Sequence, residues 1–213
     1  MEFRQKCPDR LIAPRFILGF NKTATTALHQ WFKLSGYRSF HWGELPKKNK
    51  PGRYLANILI SNITCGRPPL ETIEDFDCYS EFSNVRDDYF LEANYFFDKL
   101  YEAYPNAYFI LNTRSTESWI RSRIRHQSNG FGSFIDRALR AMGQRQDVLE
   151  RHWEAYKPQF EARMRDFFAE RPEARFCEYH ITQDRPEKLI AFLQEHYTLP
   201  LENFGVHNAE ATA

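Results

Sequence analysis

Short apolar runs alternate with longer amphipathic stretches along most of the chain. RFILGF, beginning at Arg15, is an apolar run halted by a polar turn, the pattern of a strand covered on both faces. In the next stretch, TTALHQWFKL, Leu28, Trp31, Phe32 and Leu34 offer a packing surface. This predicts a helix over 25–34, with Gly36 as its stop. The segment 43–69 is less regular: KKNKPGRY reads as an exposed turn, LANILISNIT as a short helix, and GRPPL as a loop kept irregular by its prolines. Over 89–104, Leu91, Tyr95, Leu100 and Tyr104 recur at turn-like spacing, predicting a helix closed by Pro105-Asn106. Residues 107–112 form a second buried-strand candidate. TRSTE then turns the chain into a helix with Ser115 as cap and Trp119 and Ile120 opening its apolar face. Beyond a break at NGFG, the pattern predicts helices over 133–142 and 145–169, a strand over 175–179 and a helix over 185–196. Repeated strand-to-helix passages, with no internal repeat, predict one α/β domain of three layers around a short parallel sheet. The tail 209–213 is expected to fray.

The length of 213 residues suits one substantial core and is short for two full domains. With 42% hydrophobic and 27% charged residues the chain has a globular composition. No apolar run approaches the about 18 residues needed to span a bilayer, so membrane insertion is not expected. The opening MEFRQKCPDRLIAPRF lacks the apolar core of a secretion signal. Cys7, Cys65, Cys78 and Cys177 are scattered, with neither a CxxC pair nor a zinc set, and a cytoplasmic, reducing location is expected. The net charge of +1 argues against general attraction to nucleic acid. Basic charge is nevertheless dense locally, where Arg114, Arg121, Arg123, Arg125 and His126 crowd together. Such a cluster either faces a small anion or forms a solvated helix face.

Two strand-to-helix turns carry the chemistry. In the first, FNKTATT, Gly19 lets the chain turn tightly. The amides that follow, from Asn21 through Ala24, and the amino end of the helix offer N–H groups to an anion. Lys22 adds a mobile positive charge, and Thr23, Thr25 and Thr26 add hydroxyl donors. The glycine before the lysine in the triphosphate loop GxxxxGK[ST] is missing. In the second turn, YFILNTR puts Thr113-Arg114 where a kinase or ATPase would need a metal-orienting acid. That substitution suits a second anion better than a metal, and no metal is demanded. Arg114 at the strand end and Ser122 two helical turns onward can face one crevice, giving a paired guanidinium contact and a further hydroxyl donor.

Through these residues the chain resembles the sulfotransferases that use 3'-phosphoadenosine 5'-phosphosulfate (PAPS), a family with a fold like that of the phosphate-loop proteins. FILGFNKTATTAL is similar to the family's 5'-phosphosulfate loop, within a unit spanning 14–36. FILNTRSTESWIRSRIRH is similar to its 3'-phosphate motif, within 107–126, with Arg114 and Ser122 at the family spacing. AYPNAYFILNTRSTESWIRS and the later pattern from His152 through AFLQEHYTLPLENF to His207-Asn208 resemble the small bacterial and fungal-type branch. Ala24 stands where many members have glycine, and Ser115-Thr116 replaces a common Asp-Pro. The resemblance implies sulfuryl transfer from PAPS to a hydroxyl or amine of a small-molecule or glycan-like acceptor, leaving adenosine 3',5'-bisphosphate. Lys22 would stabilise charge on the moving group, and Arg114 and Ser122 would anchor the 3'-phosphate.

The base that activates the acceptor is less legible. The resemblance directs the search to DFDCYSEFSNV, where Glu81 is the preferred acid and Asp75 and Asp77 are alternatives; His41 is chemically suitable as well. Trp42, Tyr79, Phe82, Tyr89, Phe131 and Phe134 are candidates for an acceptor pocket, with core packing as the alternative. His152, Trp153 and Tyr156 either cover the nucleotide crevice or form a packing stripe. Gly130 and Gly132 either permit a gating loop or simply break a helix. Two other functions stay open: an ATP- and Mg-dependent small-molecule kinase, and a nucleotide-binding regulatory protein without turnover.

Overall fold

Strand β8 (Tyr108–Thr113) is buried at every position, as a strand covered by helices on both faces must be. The computed structural model describes residues 13–205 apart from 49 and 129, with the backbone alone at 128. In it β8 lies beside β1 (Arg15–Ile17) in a five-stranded parallel sheet. The order is β11 (Arg175–His180), β8, β1, β5 (Cys78–Ser80) and β2 (Ser39–His41). The first strand is therefore central, and later strands add to either side of it. That arrangement creates the switch point at whose strand carboxyl ends open α/β sheets bind ligands.

Side chains alternate across the sheet. Phe16, Phe109 and Leu111 enter the larger core beneath α2 (Leu55–Thr64), α3 (Phe97–Ala103) and α6 (Gln146–Ala169). Ile17, Tyr108 and Ile110 enter the smaller core with Leu28, Trp31 and Phe32 of α1 (Thr25–Leu34) and Leu189 and Leu193 of α7 (Glu187–Leu193). These are the three expected layers. The predicted bounds of α1 match, and Gly36, with φ of 88°, follows its end. Leu34 departs from expectation: it lies on the outer side of the last turn, 59% exposed.

The expected helix over 89–104 is instead three elements. Strand β7 (Phe90–Glu92) pairs antiparallel with β6 (Ser83–Val85), a 3-10 turn follows over Ala93–Phe96, and only then does α3 begin. A second hairpin joins β3 (Gly43–Glu44) to β4 (Arg53–Tyr54). A third joins β9 (Gln127–Ser128) to β10 (Gly132–Ser133), between α4 (Thr116–Arg125) and α5 (Phe134–Met142). The expected caps are in place, with Ser115 accepting from the Ser118 amide at the head of α4. The tail 209–213 and His207-Asn208 lie outside the described residues. Among the described residues, no helix is long and apolar enough to cross a membrane.

Candidate functional site

Four of the five non-glycine residues with positive φ among the described residues lie at the carboxyl end of the sheet: Lys22 (69°), Ala24 (64°), Trp42 (55°) and Glu81 (62°). Backbone held in this costly region collects at functional sites, where surrounding structure enforces it. All four follow the carboxyl ends of β1, β2 or β5.

The loop after β1 is stapled to β8 by Asn112, which is fully buried. The Gly19 amide donates to Asn112 Oδ1 at 2.7 Å, and Asn112 Nδ2 donates to the Thr23 carbonyl and hydroxyl at 2.6 and 2.8 Å. Gly19 is therefore required for a reason other than a tight turn. Its φ is not positive, but a Cβ there would lie 1.9 Å from the Asn112 carbonyl oxygen. From below, Arg123 Nε donates to Asn21 Oδ1 at 2.6 Å and the Trp119 indole donates to the Asn21 carbonyl at 2.9 Å. Arg123 is itself buried and paired to Glu92 at 2.6 Å.

These bonds sort the loop side chains. Asn21 and Thr23 are buried and turned inward, with the Thr23 hydroxyl donating to the Phe20 carbonyl at 2.5 Å. Thr25, also buried, donates to Glu81 Oε2 at 2.7 Å. Lys22, Ala24 and Thr26 keep part of their surface exposed. No side chain caps the amino end of α1, so its first amides stay available to an anion. Lys22 Nζ lies 3.3 Å from Nδ1 of His126, the residue ending α4. Burial and Lys22 pull the His126 pKa down to about 4, so its imidazole is neutral near pH 7 and accepts from the lysine.

Arg114 follows β8 directly and reaches the loop, its Nη1 donating to the Lys22 carbonyl at 3.3 Å. Its Nε donates to Ser118 Oγ at 2.8 Å. Ser122 sits half-buried one turn further along α4, with no side-chain hydrogen bond among the described residues. The strand end is held from behind by Lys157, buried in α6, which donates to the Arg114 carbonyl at 2.8 Å and pairs with Glu161 at 2.7 Å.

The base candidates separate clearly. Glu81 follows β5 at its carboxyl end, beside Thr25. Burial raises its pKa to about 7, and the Thr25 hydrogen bond limits the rise. His41 ends β2, with Nδ1 2.9 Å from Ser80 Oγ and Nε2 3.3 Å from the Thr26 hydroxyl. Burial, reinforced by the stacked ring of His29 at 4.8 Å, lowers its pKa to about 3. Asp75 and Asp77 precede β5 and are engaged with Arg38, through its guanidinium and its amide respectively. They lie at the opposite end of the sheet from the loop.

Of the aromatic pocket candidates, Tyr79, Phe82 and Phe134 belong to the core. Tyr89 accepts from Asn84 within the β6–β7 hairpin. Trp42 and Phe131 do meet, 5.7 Å apart, with the Arg86 guanidinium over both rings.

The family model of the sulfotransferase domain matches residues 16–209. The chain belongs to the sulfotransferase family. No curated protein matches it. The domain is thus one of sulfate-group transfer.

Ala24, the N-cap of α1, is left-handed (φ 64°, ψ 24°). An L-residue there costs about 1–2 kcal/mol, while glycine loses somewhat more entropy on folding. Ala24→Gly should therefore leave stability unchanged or raise it by up to about 1 kcal/mol, read as an equal or higher melting temperature. A clear fall would show that the Ala24 methyl makes a packing contribution larger than its strain.

The sequence reading placed Arg123 and His126 only in a basic cluster facing an anion or solvent, whereas Arg123 is buried against Glu92 and His126 meets Lys22. It gave no role to Asn112, although that residue lies within FILNTR. Glu92 had no local signal, because it meets Arg123 across 31 positions of chain.

Proposed function

We propose that this sulfotransferase moves a sulfuryl group from PAPS to a hydroxyl or amine, with Lys22 as the cation at the transferred group. The observation that carries the reading is the meeting of two anion-binding turns: the uncapped, lysine-bearing head of α1 and the Arg114 guanidinium, 3.3 Å from the lysine carbonyl. The donor set fits such a molecule, since cationic and N–H groups converge from both turns. The α1 amides, Lys22 and Thr26 would hold the 5'-phosphosulfate; Arg114 and Ser122 would hold the 3'-phosphate. Thr23 and Asn21 serve by bracing the loop, since their side chains are already engaged.

Bound there, PAPS supplies the sulfuryl group: the acceptor oxygen bonds to sulfur as the bond from sulfur to the 5'-phosphate oxygen breaks, that oxygen keeping the electron pair. Glu81 takes the acceptor proton, because its pKa near 7 is matched to the task. His41, a far weaker base, instead orients Thr26. Lys22 offsets negative charge that develops on the leaving oxygen, and the Asn112 staple fixes its position. The acceptor is a small molecule or glycan approaching from the Glu81 and His41 side of the loop.

Calorimetry tests the donor. Adenosine 3',5'-bisphosphate should bind more tightly than AMP or ATP, and Arg114→Ala should weaken the bisphosphate by about 10- to 100-fold while leaving AMP little changed. Equal losses for both ligands would overturn the 3'-phosphate assignment. Cofactor-dependent sulfation across an acceptor panel separates an enzyme from a nucleotide-binding regulator.

A further inference from the structure

Beside Glu81, three hairpins converge on one guanidinium. Arg86 opens the turn between β6 and β7, Tyr54 lies on β4, and Phe131 stands just before β10. The guanidinium carbon of Arg86 lies 4.4 Å from the centre of the Phe131 ring, 4.8 Å from that of Tyr54 and 5.1 Å from that of Trp42. Trp42 ties this cluster to the site, since its amide donates to the Ser80 carbonyl at 3.0 Å, one residue before Glu81. Arg137 braces the cluster from α5, donating to the Val85, Phe131 and Gly132 carbonyls.

The protein does not balance the charge of Arg86. Its Nη2 is buried without a hydrogen bond, and among the described residues no carboxylate or carbonyl accepts from Nε or Nη1. Of the acids nearby, Asp87 pairs with Arg140 at 2.7 Å, Glu44 pairs with Arg53 at 2.7 Å, and the exposed Asp88 does not reach it. Arg137 is a second cation rather than a counter-charge; burial lowers its pKa, and the charge of Arg86 adds to the fall. The three rings attract a cation through their faces but leave its N–H donors without an acceptor. Arg86 is only half-buried, so Nε and Nη1 are open at the surface. Such a group is suited to an oxyanion from outside the chain.

We propose that Arg86 selects the acceptor: the acceptor carries a singly charged oxyanion, a carboxylate or a sulfate ester, that accepts from Arg86 while its hydroxyl faces Glu81. This rests on the reading of the Glu81 side of the loop as the acceptor's approach. One unbalanced cation is neutralised by one negative charge, so a monoanion suits the position better than a phosphate dianion. Trp42 and Phe131, the latter 37% exposed, offer apolar surface to the carbon frame beside that anion. Arg86 sets specificity and does not touch the reacting atoms.

Three probes form the test: 3-(4-hydroxyphenyl)propanoate, 2-(4-hydroxyphenyl)ethanesulfonate standing in for the sulfate ester, and neutral 3-(4-hydroxyphenyl)propanamide. Each is titrated calorimetrically into the full chain without nucleotide, so the outcome is independent of the sulfuryl donor. At least one anion should bind at a single site about tenfold or more tightly than the amide, the difference expected for a hydrogen bond to a charged group. The tighter anion identifies the oxyanion. Arg86→Met keeps a stem against the rings and should erase that preference, while Arg86→Lys should retain part of it; thermal melts confirm that both variants fold. With PAPS, the preferred anion should be sulfated with kcat/KM at least about tenfold above the amide, and Arg86→Met should remove the gap. No saturable binding of either anion, equal affinity for anions and amide, or a preference that survives in folded Arg86→Met would each overturn the proposal. An anion that binds through Arg86 yet is sulfated no faster than the amide would overturn its place as acceptor. Failure of adenosine 3',5'-bisphosphate to bind would instead remove the donor reading, leaving the nucleotide-free titrations to decide the role of Arg86.

Discussion

Replacing Lys22 by Met should lower the rate of PAPS turnover at saturating donor by about 10²–10³, the loss that follows removal of one preorganised charge-stabilising group. The side chain keeps a flexible apolar stem and ends one atom shorter, so the main loss is the ammonium. Turnover is read as release of adenosine 3',5'-bisphosphate, with a panel acceptor or with water. Stability should change little, because Lys22 is partly exposed and the His126 ring beside its ammonium is neutral. Bisphosphate binding should fall much less than turnover, because the charge of Lys22 is placed where the transferred group sits. That contrast separates a role in transfer from a role in holding nucleotide. A turnover loss below about tenfold would move the charge-stabilising role to another cation, Arg114 being the nearest alternative.

The residues of this comparison were visible in the sequence because both belong to short, continuous turns. A strand-end glycine, a lysine and an uncapped helix form a local pattern, as does an arginine following a buried strand. The helices were legible for the same reason: α1, α5 and α6 carry their own periodicity and their own ends. Strands β2 and β5 were not. SFH and CYS are only three residues long, and they exist because parallel neighbours distant in the chain complete their ladders. The stretch 89–104 misled because Tyr and Phe suit a strand as readily as a helix. Pairing of Phe90–Glu92 with Ser83–Val85 decided it, and that pairing also aims Glu92 at Arg123. Asn112 shows the remaining limit: its place in FILNTR was plain, but its three bonds to a loop 89 to 93 residues away were not.

Glu81→Gln should separate activity from stability in opposite directions. The ordinary carboxyl pKa of 4.5 is raised to about 7 in the folded protein, chiefly by burial. For catalysis, the basic form must be charged. Wild-type kcat/KM should therefore climb about tenfold per pH unit below 7 and level off above it. The glutamine cannot take a proton, so turnover should fall by about 10²–10⁴ and lose that rising limb. It still offers an oxygen to the Thr25 hydroxyl, so the loop contact at 2.7 Å has a replacement partner. For folding, the sign runs the other way. The unfolded carboxyl loses its proton near 4.5 while the native one keeps it to about 7. Over that window the native state binds more protons, so stability present below pH 4.5 is lost as pH rises through 7. Allowing for the exposure the side chain retains, the charged carboxylate costs about 1–3 kcal/mol above pH 7. Glu81→Gln should therefore be more stable than wild type in denaturant at pH 8 and nearly equal to it at pH 4. A variant that keeps the rising limb assigns the proton to another group. One that gains no stability at pH 8 shows that the native carboxylate is solvated well enough to ionise at its ordinary pKa, which would remove the physical reason for choosing it as the base.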